Sequence, residues 1–531
     1  MHHRCTRRPS TVATFRRSAL AAATALAVAA LPAGAGAATP AQVQSAVTSG
    51  SSWIRAQQHV ASGEIPGFGG DWSLSALAAA GIAASDVRGP AAGAPSAQDF
   101  HLAQWTTGSD DRSLDWTAPS DGPNGRPATD YERALLLAHA AGLQPSRLSE
   151  RQNLVAQLAG VYRNRPATPD PAGQGLTEGS FGSPALFNGT VFGALAMAKT
   201  KAPATLLTRI GRTIRSNQHA DGGWTYQRVR TEADRGRASD IDMTGAGLAA
   251  LCATGAAADD PDVVRAAGFL RGKLDPASGG FSAMFGSNTD SNAWVVQGLN
   301  ECGIDASTWS TSGGKTPIDF LLDQQRTTGP NAGSFKYLPS EGVDGPPNLY
   351  ASQDALRALA GGGFTADPPA PAGGGPAVRP APDVAAGTVV PLALVVDAGT
   401  VDGDRDVRFC RVDAPVGIGV AALLETAASS ARPAGCVTAL SVRDGDVQAL
   451  NGVANDGQRR WNVRLDGGAL HRASGRPVGF GQLVALELGA DPGPEPGDDT
   501  TPTVPTTPDA PAGPDAPRGP ARATAPGATL R

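Results

Sequence analysis

The sequence predicts a mainly α protein: an α/α six-fold toroid of about twelve helices, then a small β-rich α+β domain and a disordered tail. Three observations predict it. First, a small apolar segment opened by a polar residue recurs through residues 40–364. The openings are Asp71, Asp130, Asn188, Asp242, Asp290 and Tyr350, spaced 59, 58, 54, 48 and 60 residues apart. A period near 50 residues with two helices per unit is the signature of a repeat architecture. Second, a more polar amphipathic helix precedes each segment, and a Gly-plus-aromatic turn joins the two in most units. Third, the composition changes after residue 364, first to Pro and Gly and then to short β-branched runs.

Residues 1–38 lie outside the repeats. Arg4, Arg7, Arg8, Arg16 and Arg17 form a basic n-region, Ala19 to Leu31 is a short apolar run, and Ala33 to Ala37 alternates Ala and Gly. This pattern predicts a signal peptide, because the apolar run is too short to span a bilayer. Arg16-Arg17 leaves Sec and twin-arginine export both open. Cleavage removes five Arg and no acid, taking the formal net charge from −5 to −10. An acidic chain lacks the basic footprint that nucleic acid requires. No second long apolar run predicts a membrane span. The expected location is therefore secreted or in the cell envelope.

In the repeats, the outer helices are clearest at Ala46–Gln58, Leu206–Gln218, Val263–Lys273 and Pro317–Gln325. The turns are Gly67-Phe68-Gly69-Gly70, Gly179-Ser180-Phe181-Gly182, Gly222-Gly223-Trp224, Gly279-Gly280-Phe281 and Gly333-Ser334-Phe335. The second unit has no clean version. Gly permits a tight backbone, and the ring pins the turn to its helices. The second helices carry Ala, Gly, Leu and Val on most faces, which predicts a buried inner ring. Residues 365–387 are a Pro/Gly linker. In residues 388–490, short apolar runs bounded by Gly, Asp and Asn predict strands, interrupted by one helix at Gly419–Ser429. Residues 491–531 are Pro, Thr, Ala and Asp, a composition that predicts disorder.

The Gln218-x-x-x-Gly222-x-Trp224 core and the six-fold pattern resemble the α/α toroid of terpenoid cyclases and protein prenyltransferases. That toroid is also the large domain of the intrinsic factor and transcobalamin family. The Gly417–Ala428 helix and the later run with Trp461, Val463, Asp466 and Gly467 look like the C-terminal domain of that family. The resemblance implies a fold that serves enzymes and carriers alike. The carrier side implies a non-catalytic exported protein whose ligand is a corrinoid held between the two domains, with no cofactor required for chemistry.

The cyclase side points to Asp240-Ile241-Asp242-Met243-Thr244. Squalene–hopene-type cyclases protonate an alkene with the central acid of a D-x-D-D-T motif. Asp240 and Asp242 match its first two acids, while Met243 replaces the last. Such chemistry needs a buried, protonated carboxyl facing aromatic walls, and aromatic residues are only 5% of the chain. The simpler expectation is that Asp242, like Asp71, Asp130 and Asp290, caps its helix. A prenyltransferase-type zinc site finds no ligand cluster around Cys252, Cys302 or His219, so no metal is expected.

In a toroid the inner helices all start at one mouth. Asp71, Asp130, Asn188, Asp242 and Asp290 then ring it. Trp72, Tyr131, Thr190, Phe192, Thr244, Asn292 and Trp294 line or rim the same funnel. This is the expected small-molecule site. Arg228, Arg230, Arg235 and Arg237 are either an anion contact or a solvated loop interleaved with Glu232 and Asp234. The four cysteines beyond Cys5 are expected to pair as Cys252–Cys302, at the ends of neighbouring inner helices, and Cys410–Cys436, on two strands flanking the helix. Three functions remain: a ligand-binding or surface protein, a class II terpene cyclase-like enzyme with Asp242 as general acid, and a structural envelope or adhesion module.

Overall fold

The computed structural model describes residues 37–66, 70–107, 128–164, 179–182, 185–283, 286–401, 404–429, 435–473 and 475–492. The leader, the first Gly-Phe-Gly turn and all but the start of the tail lie outside these residues.

Twelve of the described helices alternate between two layers. The outer set is α1 (Pro40–Ala56), α3 (Ala97–Thr107), α5 (Leu154–Val161), α7 (Ala204–Ser216), α10 (Pro261–Arg271) and α12 (Pro317–Asp323). The inner set is α2 (Trp72–Ala79), α4 (Ala128–Ala140), α6 (Asn188–Ala198), α9 (Ile241–Ala253), α11 (Thr289–Glu301) and α13 (Leu349–Leu359). A single helical turn, α8 (Glu232–Arg235), sits in the arginine-rich loop. Each inner helix packs on the next, from α2 through α4, α6, α9, α11 and α13 back to α2, so the ring closes.

The recurring motif now has a physical reading. Gln218 at the end of an outer helix donates its side-chain amide to the carbonyls of Gly222 and Asp262, both at 2.8 Å. Trp224 is fully buried and donates its indole N–H to the Ile214 carbonyl at 3.0 Å. Gln325 repeats the arrangement, bonding the carbonyls of Ala46 and Gly333. The turn aromatic lies flat on the next inner helix. A Cβ at Gly247 would come within 2.9 Å of the Trp224 ring, and one at Gly193 within 2.3 Å of Phe181. Glycine is needed at both positions for that approach.

The C-terminal region builds a five-stranded sheet in the order β2-β1-β8-β6-β7. Its strands are β1 (Val389–Val401), β2 (Asp404–Pro415), β6 (Arg459–Leu465), β7 (His471–Arg472) and β8 (Leu483–Ala490). The β1–β8 pair is parallel and the other pairs are antiparallel. A second sheet joins β3 (Leu440–Arg443), β4 (Asp446–Leu450) and β5 (Val453–Ala454). The helix α14 (Val420–Ser429) packs on β2 and β3.

Alternation along β1 divides two cores, as a period of two requires. Leu392, Leu394 and Val396 face α14, whereas Ala393 and Val395 join Phe409 and Leu483 in the toroid core. The sheet is thus docked on the outer wall, against α5 and α7. This explains α5, which is an outer helix yet buried along nearly its whole length. Asn153 donates to the Pro391 carbonyl at 2.9 Å, Arg411 to Gln157 at 2.8 Å, and Asn164 accepts the Phe409 amide at 2.7 Å. Arg147 pairs with Asp466.

Disulfides join Cys252 to Cys302 and Cys410 to Cys436. Cys436 precedes β3 in an irregular segment rather than standing on a strand. The Pro-rich stretch after α13 is pinned to the toroid. Asp367 takes His139 at 3.0 Å and Lys199 at 2.8 Å, at the C-terminal ends of α4 and α6. The Arg379 amide bonds the Gly142 carbonyl at 2.7 Å. Among the described residues no helix is long and apolar enough to cross a membrane.

Candidate functional site

The helix caps stand two residues earlier than the sequence pattern suggests. Asp240 accepts the Met243 amide at 2.7 Å, Asn288 the Ser291 amide at 2.9 Å, and Asn348 the Ala351 amide at 2.9 Å. Asp242, Asp290 and Tyr350 are therefore second residues of their helices, not caps. The capping expectation for Asp242 and Asp290 is overturned, because an N-cap side chain accepts the amide of the second or third helical residue and Asp240 and Asn288 already make that bond. Asp71 makes no capping bond either and pairs with Arg133 at 3.2 Å. Asn188 is the first residue of α6, and Asp130 is the third of α4.

Asp242 and Asp290 do not cap, and their carboxyls lie within electrostatic reach of each other and of Asp354 on α13. Burial pushes the Asp242 carboxyl above its usual range, against a hydrogen bond from Ser291 of the neighbouring helix. Asp290 is pushed up to about 8 by burial and by the charges of Asp354 and Asp242. Asp354 is also raised, chiefly by burial, although Arg357 at 2.7 Å and the Trp294 indole N–H at 3.0 Å favour its ionised form. Burial with the nearby Asp242 charge carries Asp240 up to about 6, against the pull of the Met243 amide. Carboxyls held together in a poorly solvated place resist ionising together. One oxygen each of Asp242 and Asp290 is buried with no hydrogen-bond partner among the described residues.

Aromatic rings lie below the acids. Trp72, Phe192 and Trp294 are half-buried and come from α2, α6 and α11. Phe192 lies 6.3 Å from Trp72 and 5.8 Å from Trp294 between ring centroids. Phe364, buried, touches both Phe192 and Trp294 from below. The Arg357 guanidinium sits 4.9 Å from the Trp72 centroid and 5.7 Å from that of Phe364. These contacts close the bore. Trp294 follows Asp290 by four residues and so stands about 6 Å farther along the axis of α11.

The remaining predicted residues hold the frame. The Thr244 hydroxyl accepts the Trp224 amide at 3.1 Å, and Asn292 accepts the Phe281 amide at 2.6 Å. Ser352 does the same for Phe335. All three are fully buried, pinning each turn to its inner helix rather than facing the cup. Tyr131 is buried in the core. Thr190 accepts from Arg228, which is itself buried. Arg235 donates to the carbonyls of Gln218 and Ser216, and Arg237 pairs with Asp234 at 2.8 Å. The arginine loop is therefore braced against its own repeat.

Asp354, Arg357 and Phe364 were not among the sequence candidates. Their signal was the polar run Ser352-Gln353-Asp354 with Arg357 inside a helix that the repeat places in the inner ring. A cavity of about 410 Å³ lies at the opposite end of the toroid, between the Pro-rich stretch and residues such as Ala83 and Ala140. None of the predicted site residues lines it. Among the described residues no group of three or more His, Cys, Asp or Glu is placed to hold a metal ion.

Fold and site together define an α/α toroid with an acid-rimmed, aromatic-floored mouth and a β domain on its wall. No family model matches the chain, and no curated protein matches it. Matching solved structures include the type II terpene cyclase MstE from Scytonema, at 18% identity over 60% of this chain and 98% of that one, with a TM-score of 0.37. Haptocorrin in complex with Cbi matches at 10% identity over 84% of this chain and 97% of the other, with a TM-score of 0.29. Candida albicans protein geranylgeranyltransferase-I complexed with GGPP matches at 14% identity over 44% and 66%, with a TM-score of 0.32.

Proposed function

We propose that the chain is an exported, non-catalytic small-molecule-binding protein whose ligand sits in the cup at the toroid mouth. The observation that carries this reading is the half-buried trio Trp72, Phe192 and Trp294, held one turn beneath Asp242 and Asp290. Apolar rings at the bottom of a concavity with a few polar groups above them are the usual make-up of a ligand site. The two disulfides suit an oxidising compartment. A corrinoid remains the specific ligand to test. It would have to extend from the cup toward the sheet, whose Phe409 touches Tyr162 beside the turn into α6.

The test is retention of small molecules. The purified full chain is incubated with a cell extract, and separately with a corrinoid, then gel-filtered and analysed by mass spectrometry and absorbance. A compound retained by the wild type and lost in Trp294→Ala supports the reading. Equal retention by both proteins, or by neither, contradicts it.

A second reading is acid-catalysed cyclisation, favoured by one observation: Asp242 is not a cap and its carboxyl is held toward the protonated form. It predicts that a polyprene is cyclised and that Asp242→Asn lowers the rate by about 10²–10⁴-fold.

A further inference from the structure

Just before the first repeat, the chain meets a buried carboxylate. The Ala38 amide donates to Oδ1 of Asp319 at 2.8 Å. Asp319 is the third residue of α12 and only 7% exposed. Its Oδ2 accepts the Thr316 amide at 2.8 Å and the Thr316 hydroxyl at 2.7 Å, as part of a capping box. Lys315, the nearest base in sequence, pairs with Asp323 instead at 3.3 Å. Among the described residues Asp319 thus has neutral donors and no basic side chain. A buried charge is normally paired, and a hydrogen bond between two ions is about twice as strong as one between neutral groups.

The sequence places a processing signal at the same point. Ala33-Gly34-Ala35 and Ala35-Gly36-Ala37 both fit the A-x-A pattern of a signal-peptide cleavage site. A cut after Ala35 leaves two residues in front of Ala38. A cut after Ala38 leaves Thr39 first, and the Thr39 N–H already belongs to the capping box of α1, held by the Gln42 side chain at 2.8 Å. A cut after Ala37 leaves Ala38 first, with its nitrogen on Asp319. Ala37 itself is exposed and stands outside any helix or strand.

We infer that the Ala37–Ala38 bond is a processing site, and that cleavage turns the Ala38 nitrogen into an α-ammonium that pairs with Asp319. This rests on the reading of the chain as exported and adds what processing does to the fold. A signal peptidase of the exporting cell hydrolyses the bond. One water is consumed, Ala37 leaves with a new carboxylate, and Ala38 keeps the nitrogen, which is protonated at neutral pH. The helices α1 and α12 are the outer helices of the first and last repeats, so the pair lies on the seam where the toroid closes. Gln325 bonds the Ala46 carbonyl across the same seam. Processing replaces a neutral donor on Asp319 by a cation and so tightens the closure of the ring.

N-terminal sequencing of the protein exported by cells that carry the full-length gene tests the site. Ala38 is the expected first residue. An exported protein that starts anywhere else overturns the inference and leaves the export reading standing. A chain found only inside the cells, with its leader in place, overturns both. The pairing is tested on the processed protein and its N-terminally acetylated form, which keeps one N–H and loses the charge. Acetylation is expected to lower the melting temperature by about 2–4 °C, the scale of one charged hydrogen bond in a chain of this length. In Asp319→Asn, acetylation is expected to change nothing. No loss on acetylating the wild type, or an equal loss in both proteins, overturns the pairing.

Discussion

Asp240 accepts the Met243 amide hydrogen at 2.7 Å and so ends the search for a cap on α9. Asp242, two residues on, is left beside Asp290 of the neighbouring inner helix α11. Asp240→Ala should lose about 1 kcal/mol of stability, the usual value of an N-cap. Asp242→Asn should leave stability unchanged or raise it, since it removes a buried acid that repels its neighbours. Urea unfolding of both variants checks the pair. An equal loss in the two would return Asp242 to a capping role.

Asp290 makes stability depend on pH. Its carboxyl titrates at 3.8 in the reference state and at about 8 in the folded chain. Between these values the folded protein holds a proton that the unfolded chain has released. Its contribution is therefore complete below about pH 4 and is lost as pH rises through about 8, with a slope of at most about 1.4 kcal/mol per pH unit. Asp290→Asn should flatten the fall in melting temperature over that range. An equally steep fall in the variant would assign the effect to other groups.

The spacing of the two acids depends on a close helix contact. A Cβ on Gly298 would lie 2.3 Å from the Gly245 carbonyl oxygen, so α9 and α11 touch backbone to backbone. Gly298→Ala should cost about 1–3 kcal/mol through overpacking. Thermal unfolding measures this, and a neutral result would mean that the helices separate freely.

The same two helices are tied at their far ends by Cys252–Cys302, which closes a loop of sequence separation 50. Replacing both cysteines by Ser should remove about 3–4 kcal/mol. Denaturant titration under non-reducing conditions reads the loss.

Much of the toroid was legible because its signals are local and repeated. The small residues of α6 and α9 must sit under Phe181 and Trp224, and the repeat spacing placed Cys252 beside Cys302. The caps were less visible. Asp240, Asn288 and Asn348 precede more conspicuous residues by two positions, and a carboxylate near a helix start looks alike in either role. The Asp354–Arg357 pair was hidden for another reason. An acid and a base three apart normally mark a solvated helix face, and only ring closure reveals that this face looks into the bore. The role of Phe364 beneath the bore depends on the chain turning back after α13, which local sequence does not encode. The docking of the sheet on α5 and α7 was equally non-local.

The most direct test of the account is the titration of the aspartate carboxyls, followed by carbon-13 NMR of the side-chain carboxyl signals from pH 3 to 10. A mouth built around uncapped, mutually repelling acids predicts one carboxyl titrating near 8 and absent in Asp290→Asn, with the Asp242 signal also above the ordinary range. If every aspartate instead titrates below about 5, in the ordinary carboxylate range, these acids are solvated surface groups and the mouth is not the site described.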